Sequence, residues 1–139
     1  MGQDVVVDTD VLIDYFAGVS PSPSAEAITK LLQEDRLAVT ALTLFELACG
    51  AQTEEQLHDL ELLGQAAHLI PLDGPAALRA GAIYRELRAK GQLLEVADLL
   101  IAGCCLAGQM PLLTRNTEHF SRVRGLELLE AEAILKGEG

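Results

Sequence analysis

The chain has 139 residues, half of them hydrophobic, and its mean hydropathy is slightly positive. This composition excludes a disordered protein and predicts one globular domain over residues 1–139. The formal net charge is −11, the opposite of what a protein that holds naked nucleic acid by charge alone carries. A nucleic-acid ligand would therefore need metal ions, local arginines or a basic partner to offset the carboxylates.

No segment predicts a membrane helix or a targeting signal. The one long apolar run, residues 96–113, contains Asp98, Gln109 and Pro111, which argue against a membrane span. The first residues lack a basic segment followed by an apolar run, so we expect a cytoplasmic protein. The three cysteines form no Cys-x-x-Cys pair, and we expect small buried hydrophobes rather than zinc ligands or disulfides.

The first predicted element is a strand at residues 5–7, whose three valines are typical of a strand buried on both faces of a parallel sheet. A short helix is predicted over Val11–Gly18. Serines and prolines at 20–24 predict a loop, in which Ser24 caps the next helix. A second strand is predicted at 37–40.

Two threonine motifs predict the helices that follow the second strand. Thr43 with Glu46 matches the Thr-x-x-Glu capping box and opens a helix to about Ala51, and Thr53 with Gln56 repeats the pattern. In a capping box the two side chains satisfy amides that the start of a helix leaves free. A purely structural role is therefore open to Glu46.

The second half of the chain continues the alternation of strands and helices. Three further strands are predicted, at residues 68–72, 111–114 and 126–129. Asp73 begins a helix that ends at Gly91, and the helix over Glu95–Ala107 is apolar nearly all round, which predicts a central, buried position. Together with a terminal helix, these elements predict a three-layer α/β/α sandwich on a mostly parallel sheet.

Three acids lie in apolar surroundings near one edge of this sheet. Asp8 ends the first strand, Glu46 lies one turn into the helix after the second, and Asp98 lies in the first turn of the most apolar helix. Buried carboxylates are usually paired, hydrogen-bonded or bound to a cation. Each alone has a structural interpretation as a helix cap. Their common edge, where open α/β sheets bind ligands, favours a shared site.

Carboxylates that converge without a Lys, His or Cys beside them suit hard divalent cations such as Mg²⁺ or Mn²⁺. Such a cation lowers the pKa of bound water and stabilises charge on the oxygens of a phosphodiester. The fourth predicted strand ends at the same edge on Thr114, Arg115 and Asn116. We expect Thr114 and Asn116 to orient metal-bound water or a phosphate oxygen, and Arg115 to bind phosphate.

Four short motifs, in this order, resemble the PIN-domain family, and most closely the VapC toxins of type II toxin–antitoxin pairs. They are Asp8-Thr-Asp10, Thr43-x-x-Glu46-Leu, Ala97-Asp98-Leu-Leu-Ile-Ala102 and Leu113-Thr-Arg-Asn116. The resemblance extends from Val5 to about Leu129. It implies a three-layer α/β/α fold, a Mg²⁺- or Mn²⁺-dependent endoribonuclease, a homodimer, and a small cognate antitoxin as partner.

The resemblance also implies roles for single residues. Asp8 corresponds to the first metal ligand, Glu46 to the second acid, and Asp98 to the third acid and a metal ligand. These three make up the predicted metal site, and with Asn116 they make up the predicted catalytic set. Thr114 and Arg115 are the predicted substrate-binding residues.

The fourth acidic position departs from the family's pattern. Asn116 falls where many members carry Asp or Asn, and many relatives also carry an acid where this chain has His119. Glu118 is the adjacent acid that would substitute. The fourth position is therefore occupied by Asn116, by Glu118 or by no ligand, and the sequence leaves these three alternatives open. It also leaves open whether the site holds one metal ion or two.

Two other functions are compatible with parts of the sequence. Asp8-Thr-Asp10 resembles the Asp-x-Asp motif of haloacid-dehalogenase-like phosphatases, but those carry Thr or Val where this chain has Leu12. They also need a later lysine and paired acids after a late strand. A catalytically inactive PIN-fold binding module is the other alternative. Whether the PIN domain is an active nuclease or an inactive binding module, its net charge has the same explanation. A basic, partly disordered antitoxin segment would fold onto the acidic surface.

Overall fold

Val5–Val7 forms the central strand, β1, and its three valines are fully buried because helices cover both faces of the sheet. The computed structural model describes residues 2–18 and 22–137. The other strands are β2 (Leu37–Thr40), β3 (His68–Ile70), β4 (Leu112–Leu113) and β5 (Leu128–Leu129). Every pairing among them is parallel, in the order β3-β2-β1-β4-β5.

Helices pack on both faces of this sheet. Within the described ranges they are α1 (Thr9–Ala17), α2 (Pro23–Gln33), α3 (Ala41–Gly50), α4 (Glu54–Ala66), α5 (Gly74–Ala89), α6 (Val96–Gly108), α7 (Thr117–Phe120) and α8 (Ala131–Leu135). Val5 and Val7 share one apolar core with residues of α1, α2 and α8, whereas Val6 shares a second core with α5 and α6. Alternate residues of a strand point to opposite faces, so the sheet is the middle layer and the predicted α/β/α sandwich is confirmed.

Three helix starts differ from the sequence prediction. α1 begins at Thr9 rather than Val11, because Asp8 is its N-cap. The hydroxyl of Ser22, not Ser24, accepts the capping hydrogen bond of α2. The hydroxyl of Thr40, the last residue of β2, caps α3 by accepting from the backbone N–H of Thr43. The capping box that Thr43 was predicted to begin is therefore wrong.

The remaining local predictions concern the cap of α4, the lengths of three strands and one loop. The hydroxyl of Thr53 caps α4 by accepting from the amide of Gln56, as predicted. The third, fourth and fifth strands are shorter than predicted. Of the loop predicted at 20–24, residues 20 and 21 lie outside the described residues.

Two of the three cysteines behave as expected. Cys104 and Cys105 are buried in α6, but Cys49 is exposed, so the prediction of burial is wrong there. Over residues 2–18 and 22–137, no helix combines the length and apolar character that crossing a bilayer requires.

Candidate active site

The carboxyl ends of β1, β2 and β4 lie side by side at one edge of the sheet, since β1 pairs with both of the others. Asp8 follows β1, Thr114 follows β4, and Glu46 lies on α3, which begins where β2 ends. Asp98 lies in the first turn of α6. The topology therefore brings the predicted acids to the same edge.

Asp8 is only 6 % exposed and both of its oxygens are hydrogen-bonded. One accepts from the backbone N–H of Thr9 at 2.8 Å, and the other accepts from the hydroxyl of Thr114 at 2.8 Å. The Thr114 hydroxyl in turn accepts from the backbone N–H of Asn116 at 2.9 Å. Asp8 is thus both a helix cap and a member of a network that fixes the segment after β4.

Glu46 is held by threonine hydroxyls rather than by a capping box. Its Oε1 accepts from the Thr9 hydroxyl at 2.7 Å. Oγ1 of Thr43 lies 3.2 Å from that of Thr9 and 3.3 Å from that of Thr40. Because each hydroxyl has one proton and Thr9 gives its proton to Glu46, Thr43 donates to Thr9 and Thr40 donates to Thr43. This chain of hydroxyls ties β2 and α3 to the start of α1.

Asp98 does not cap its helix. Glu95 is the N-cap residue of α6 and makes no capping hydrogen bond, and the side chain of Asp98 makes no hydrogen bond in the part of the chain that is described. A structural interpretation of Asp98 as a cap therefore has no support.

The acids act on each other's protonation. The pKa of Asp8 is raised from 3.8 to about 6, first by burial, then by the charge of Asp10 and, more weakly, of Glu46. The pKa of Asp98 is also raised to about 6, by burial and then by Asp8, Glu46 and Glu95. Asp8, Glu46 and Asp98 therefore form one electrostatic cluster, which we call the acid cluster.

The segment after β4 is attached to α1 by Arg115. Its backbone N–H donates to Asp10 at 3.3 Å, and its guanidinium forms an ion pair with Asp14. Burial raises the pKa of Asp10, and its Oδ1 is buried with no hydrogen-bond partner among the described residues. Arg115 is thus anchored to α1 rather than directed at the acid cluster.

Comparison with known proteins agrees with this fold. A family model described as the PIN domain matches residues 5–126. This chain belongs to the PIN-domain family. The assignment made from the four sequence motifs is therefore confirmed.

Its relatives within the PIN family are VapC ribonucleases. The chain is 30 % identical over 128 residues to ribonuclease VapC1 of Methanocaldococcus jannaschii, covering 91 % of this chain and 87 % of the relative. It is 30 % identical over 99 residues to the tRNA(fMet)-specific endonuclease VapC of Shigella flexneri, covering 68 % and 75 %. The DNA-bound VapBC structure from Salmonella typhimurium aligns with a TM-score of 0.82 at 25 % identity, covering 94 % of this chain and 99 % of that chain. The sequence prediction of a VapC-type nuclease is confirmed by these likenesses.

The donor chemistry of this PIN site fits a divalent cation, although its geometry is open. Among residues 2–18 and 22–137, no three Asp, Glu, His or Cys side chains come close enough together to hold an ion directly. The acid cluster nevertheless offers carboxylate oxygens whose charges raise the pKa of Asp8 and Asp98, and a cation relieves that repulsion. Mg²⁺ keeps several of its waters and needs only one or two carboxylates.

Sequence reasoning missed several residues of the PIN site. Thr9, which orients Glu46, was part of a quoted motif but was given no role, and Glu95 was treated only as a helix boundary. The expectation of no histidine beside the carboxylates is wrong, because a positive charge on His119 lowers the pKa of Asp98. Nδ2 of Asn116 lies 2.8 Å from Nδ1 of the His119 ring. For Thr9, its place between Asp8 and Asp10 just after β1 was the signal that could have identified it.

Proposed function

We propose that this chain is a Mg²⁺- or Mn²⁺-dependent endoribonuclease and the toxin of a VapBC-type toxin–antitoxin pair. The observation that supports this most directly is the acid cluster on three separate elements: the charge of Glu46 raises the pKa of Asp8 and of Asp98, and the charge of Asp8 raises that of Asp98. The acid cluster lies at the carboxyl edge of a parallel sheet, which is where such folds bind ligands.

Each residue of the site has a distinct part in the proposed reaction. Asp8 and Asp98 would hold the cation, with Glu46 as the third acid. The bound cation would lower the pKa of a water and stabilise charge on the scissile phosphodiester. Thr114 fixes the orientation of Asp8, and Asn116 belongs to the same hydrogen-bonded segment.

Two further residues support these acids. Thr9 fixes the orientation of Glu46 by donating to its carboxylate. Arg115 binds an RNA phosphate if its guanidinium leaves Asp14, which an incoming phosphate favours because Arg pairs well with phosphate oxygens.

The proposed partners follow from charge and from the relatives. The net charge of −11 favours a basic partner, and the solved structures that this chain resembles in fold include VapBC complexes. We propose a small antitoxin whose basic segment covers the acid cluster, a homodimer of this chain, and RNA as substrate in the cytoplasm.

The proposal is tested by cleavage of a panel of structured RNAs, including tRNAs and rRNA fragments. Wild type and Asp8→Asn are compared in Mg²⁺, Mn²⁺ and EDTA, with Asp59→Asn, an exposed acid of α4, as the matched control. We expect cleavage by wild type and by Asp59→Asn in metal only, and at least a hundredfold loss in Asp8→Asn, roughly the cost of removing one essential charged group.

Each result of this experiment has a separate meaning. Cleavage in EDTA, or undiminished cleavage by folded Asp8→Asn, would contradict the proposed metal site. Folded wild type that binds metal and cleaves none of the RNAs would favour the inactive PIN-fold binding module instead.

A further inference from the structure

His119 is connected to Asp8 of the acid cluster by a short series of hydrogen bonds: Nδ1 of His119 lies 2.8 Å from Nδ2 of Asn116, the backbone N–H of Asn116 donates to the Thr114 hydroxyl, and that hydroxyl donates to Asp8. His119 belongs to the short helix α7, its side chain is exposed, and a positive charge on its ring lowers the pKa of Asp98. The ring is therefore accessible from solvent and within electrostatic reach of the predicted metal ligand.

The hydrogen bond from Asn116 determines which nitrogen of the His119 ring carries the proton. Nδ2 of Asn116 lies 2.8 Å from Nδ1 of His119, and an amide nitrogen can only donate. Nδ1 must therefore be the acceptor, so the neutral ring carries its hydrogen on Nε2. His119 is consequently a hydrogen-bond donor through Nε2 without any need for protonation.

Other donors at this edge of the sheet already have acceptors. The hydroxyl proton of Thr114 goes to Asp8 and that of Thr9 goes to Glu46, whereas the guanidinium of Arg115 is held towards α1 by its ion pair with Asp14. An acid-rich site needs donors if it is to hold a phosphate anion. In the described part of this segment, no acceptor contacts the Nε2–H of His119. This N–H can therefore donate to a bound ligand.

We propose that His119 contacts the substrate directly, its Nε2–H donating a hydrogen bond to a phosphate oxygen of RNA bound at the acid cluster. Asn116 is then the positioning residue that holds the ring in the donating tautomer. This inference rests on the proposed nuclease function and assigns a phosphate-binding residue to it. A histidine here supplies a donor where a carboxylate would repel the phosphate.

The tautomer is tested first, by ¹⁵N chemical shifts of the imidazole nitrogens at a pH where the ring is neutral. In wild type we expect a protonated Nε2 and an unprotonated Nδ1. In Asn116→Asp the carboxylate can only accept, so we expect the proton to move to Nδ1. A wild-type ring protonated on Nδ1 would overturn the inference, and this readout does not depend on activity.

Contact with substrate is tested by single-turnover cleavage with three variants of His119. The amide of Gln reaches the position of Nε2, whereas the amide of Asn reaches only that of Nδ1. We expect His119→Gln to retain most of the cleavage rate. His119→Asn and His119→Ala should cleave about tenfold to a hundredfold more slowly, which is at or below the usual effect of removing one hydrogen-bond donor to a developing charge. His58→Ala, at an exposed histidine of α4, is the matched control and should cleave as wild type does.

The order of the variants separates a substrate contact from a structural role. If His119 only accepted the hydrogen bond of Asn116, His119→Asn would be active and His119→Gln would not, and the inference would be wrong. Equal cleavage by wild type and His119→Ala would also overturn it while leaving the nuclease function intact. Absence of cleavage by wild type, in contrast, would count against the nuclease function itself, and the inference would fall with it.

Discussion

At the scale of single residues, the surroundings of Asp8 disfavour the ionised carboxylate that a metal site needs. Asp8 is almost fully buried, and the charges of Asp10 and Glu46 act on it, so that its ionised form is disfavoured in the folded protein. A cation site needs the ionised form. The free energy of holding Asp8 ionised without metal therefore reduces the stability of the folded chain at neutral pH.

We therefore expect Asp8→Asn to be more stable than wild type above pH 6 in the absence of metal. Burial is the main reason that the pKa of Asp8 rises from 3.8, the ordinary value for an aspartate, to about 6 in the folded protein. As pH rises between these values, the unfolded chain loses its proton first, so wild-type stability falls through this window. With about 1.4 kcal/mol per pKa unit, offset by the weaker hydrogen bond to an amide, we expect a gain of about 1–2 kcal/mol.

Urea unfolding from pH 3 to pH 8 in EDTA measures this effect. The difference between Asp8→Asn and wild type should disappear below pH about 4, where both states are protonated. Asp59→Asn, an exposed acid, should show no such gain. A stability difference that is independent of pH would mean that repacking, and not the charge of Asp8, is the cause.

The sequence was sufficient to predict that the three acids lie at one edge of the sheet, but not which residues hold them. Asp8, Glu46 and Asp98 stand out because an ionisable residue within an apolar run needs a physical reason. Thr9 and Thr40 do not stand out, because threonine is ordinary in strands and at helix starts. Their roles depend on contacts between residues more than thirty positions apart, such as Thr9 with Glu46.

At the scale of the elements, the packing of α6 against α5 requires a glycine. A Cβ at Gly103 would lie 2.5 Å from the carbonyl oxygen of Ala76 and 2.8 Å from Cβ of Ala80. The contact with Ala76 is with backbone, which cannot move aside without moving α5. Since α6 also carries Asp98, this close approach fixes the helix that positions one acid of the site.

Gly103→Ala is therefore expected to destabilise the protein by about 1–3 kcal/mol, the usual cost of overpacking. Gly81→Ala is the matched control, since Gly81 is helical, exposed, and has no atom within 4 Å of an added Cβ. There the higher helix propensity of alanine should stabilise the protein by up to about 1 kcal/mol. Denaturant unfolding of both variants measures the difference, and a neutral or stabilising Gly103→Ala would contradict the close packing.

Helix starts show where local sequence patterns fail. Two hydroxyl residues lie near the start of α2 and two near the start of α3, and in each case the earlier one caps the helix. The pattern Thr43-x-x-Glu46 has the right residues for a capping box, but the chain is already helical from Ala41. For α3 the choice depends on where β2 ends, which pairing with β1 and β3 decides.

At the scale of the whole molecule, the sandwich could be predicted and the strand order could not. The alternation of strands and helices requires a parallel sheet covered on both faces, because parallel strands need crossover connections. The order β3-β2-β1-β4-β5 places the amino-terminal strand in the centre, beside a strand more than a hundred residues later. That pairing brings Thr114 to Asp8, and it follows from no short-range pattern.

With a net charge of −11, the protein repels the phosphates of RNA unless bound metal offsets the carboxylates. Part of the basic surface is also neutralised within the chain, since Lys90 and Arg124 both pair with Glu86. For proteins that bind nucleic acid through phosphate contacts, affinity falls by about 10³–10⁵ between 50 and 200 mM salt. Here, in EDTA, salt instead screens the repulsion between the acidic surface and RNA.

We therefore expect RNA affinity in EDTA to be weak and to stay level or rise as salt increases from about 50 to 200 mM. Fluorescence anisotropy with a phosphorothioate RNA, which slows cleavage, measures binding, and Mg²⁺ should raise the affinity of wild type. Asp98→Asn removes one negative charge and one proposed metal ligand, so it should bind RNA slightly better than wild type in EDTA and lose the gain from Mg²⁺. A steep loss of affinity with salt in EDTA would mean that a local basic surface, and not bound metal, makes the main contact with RNA.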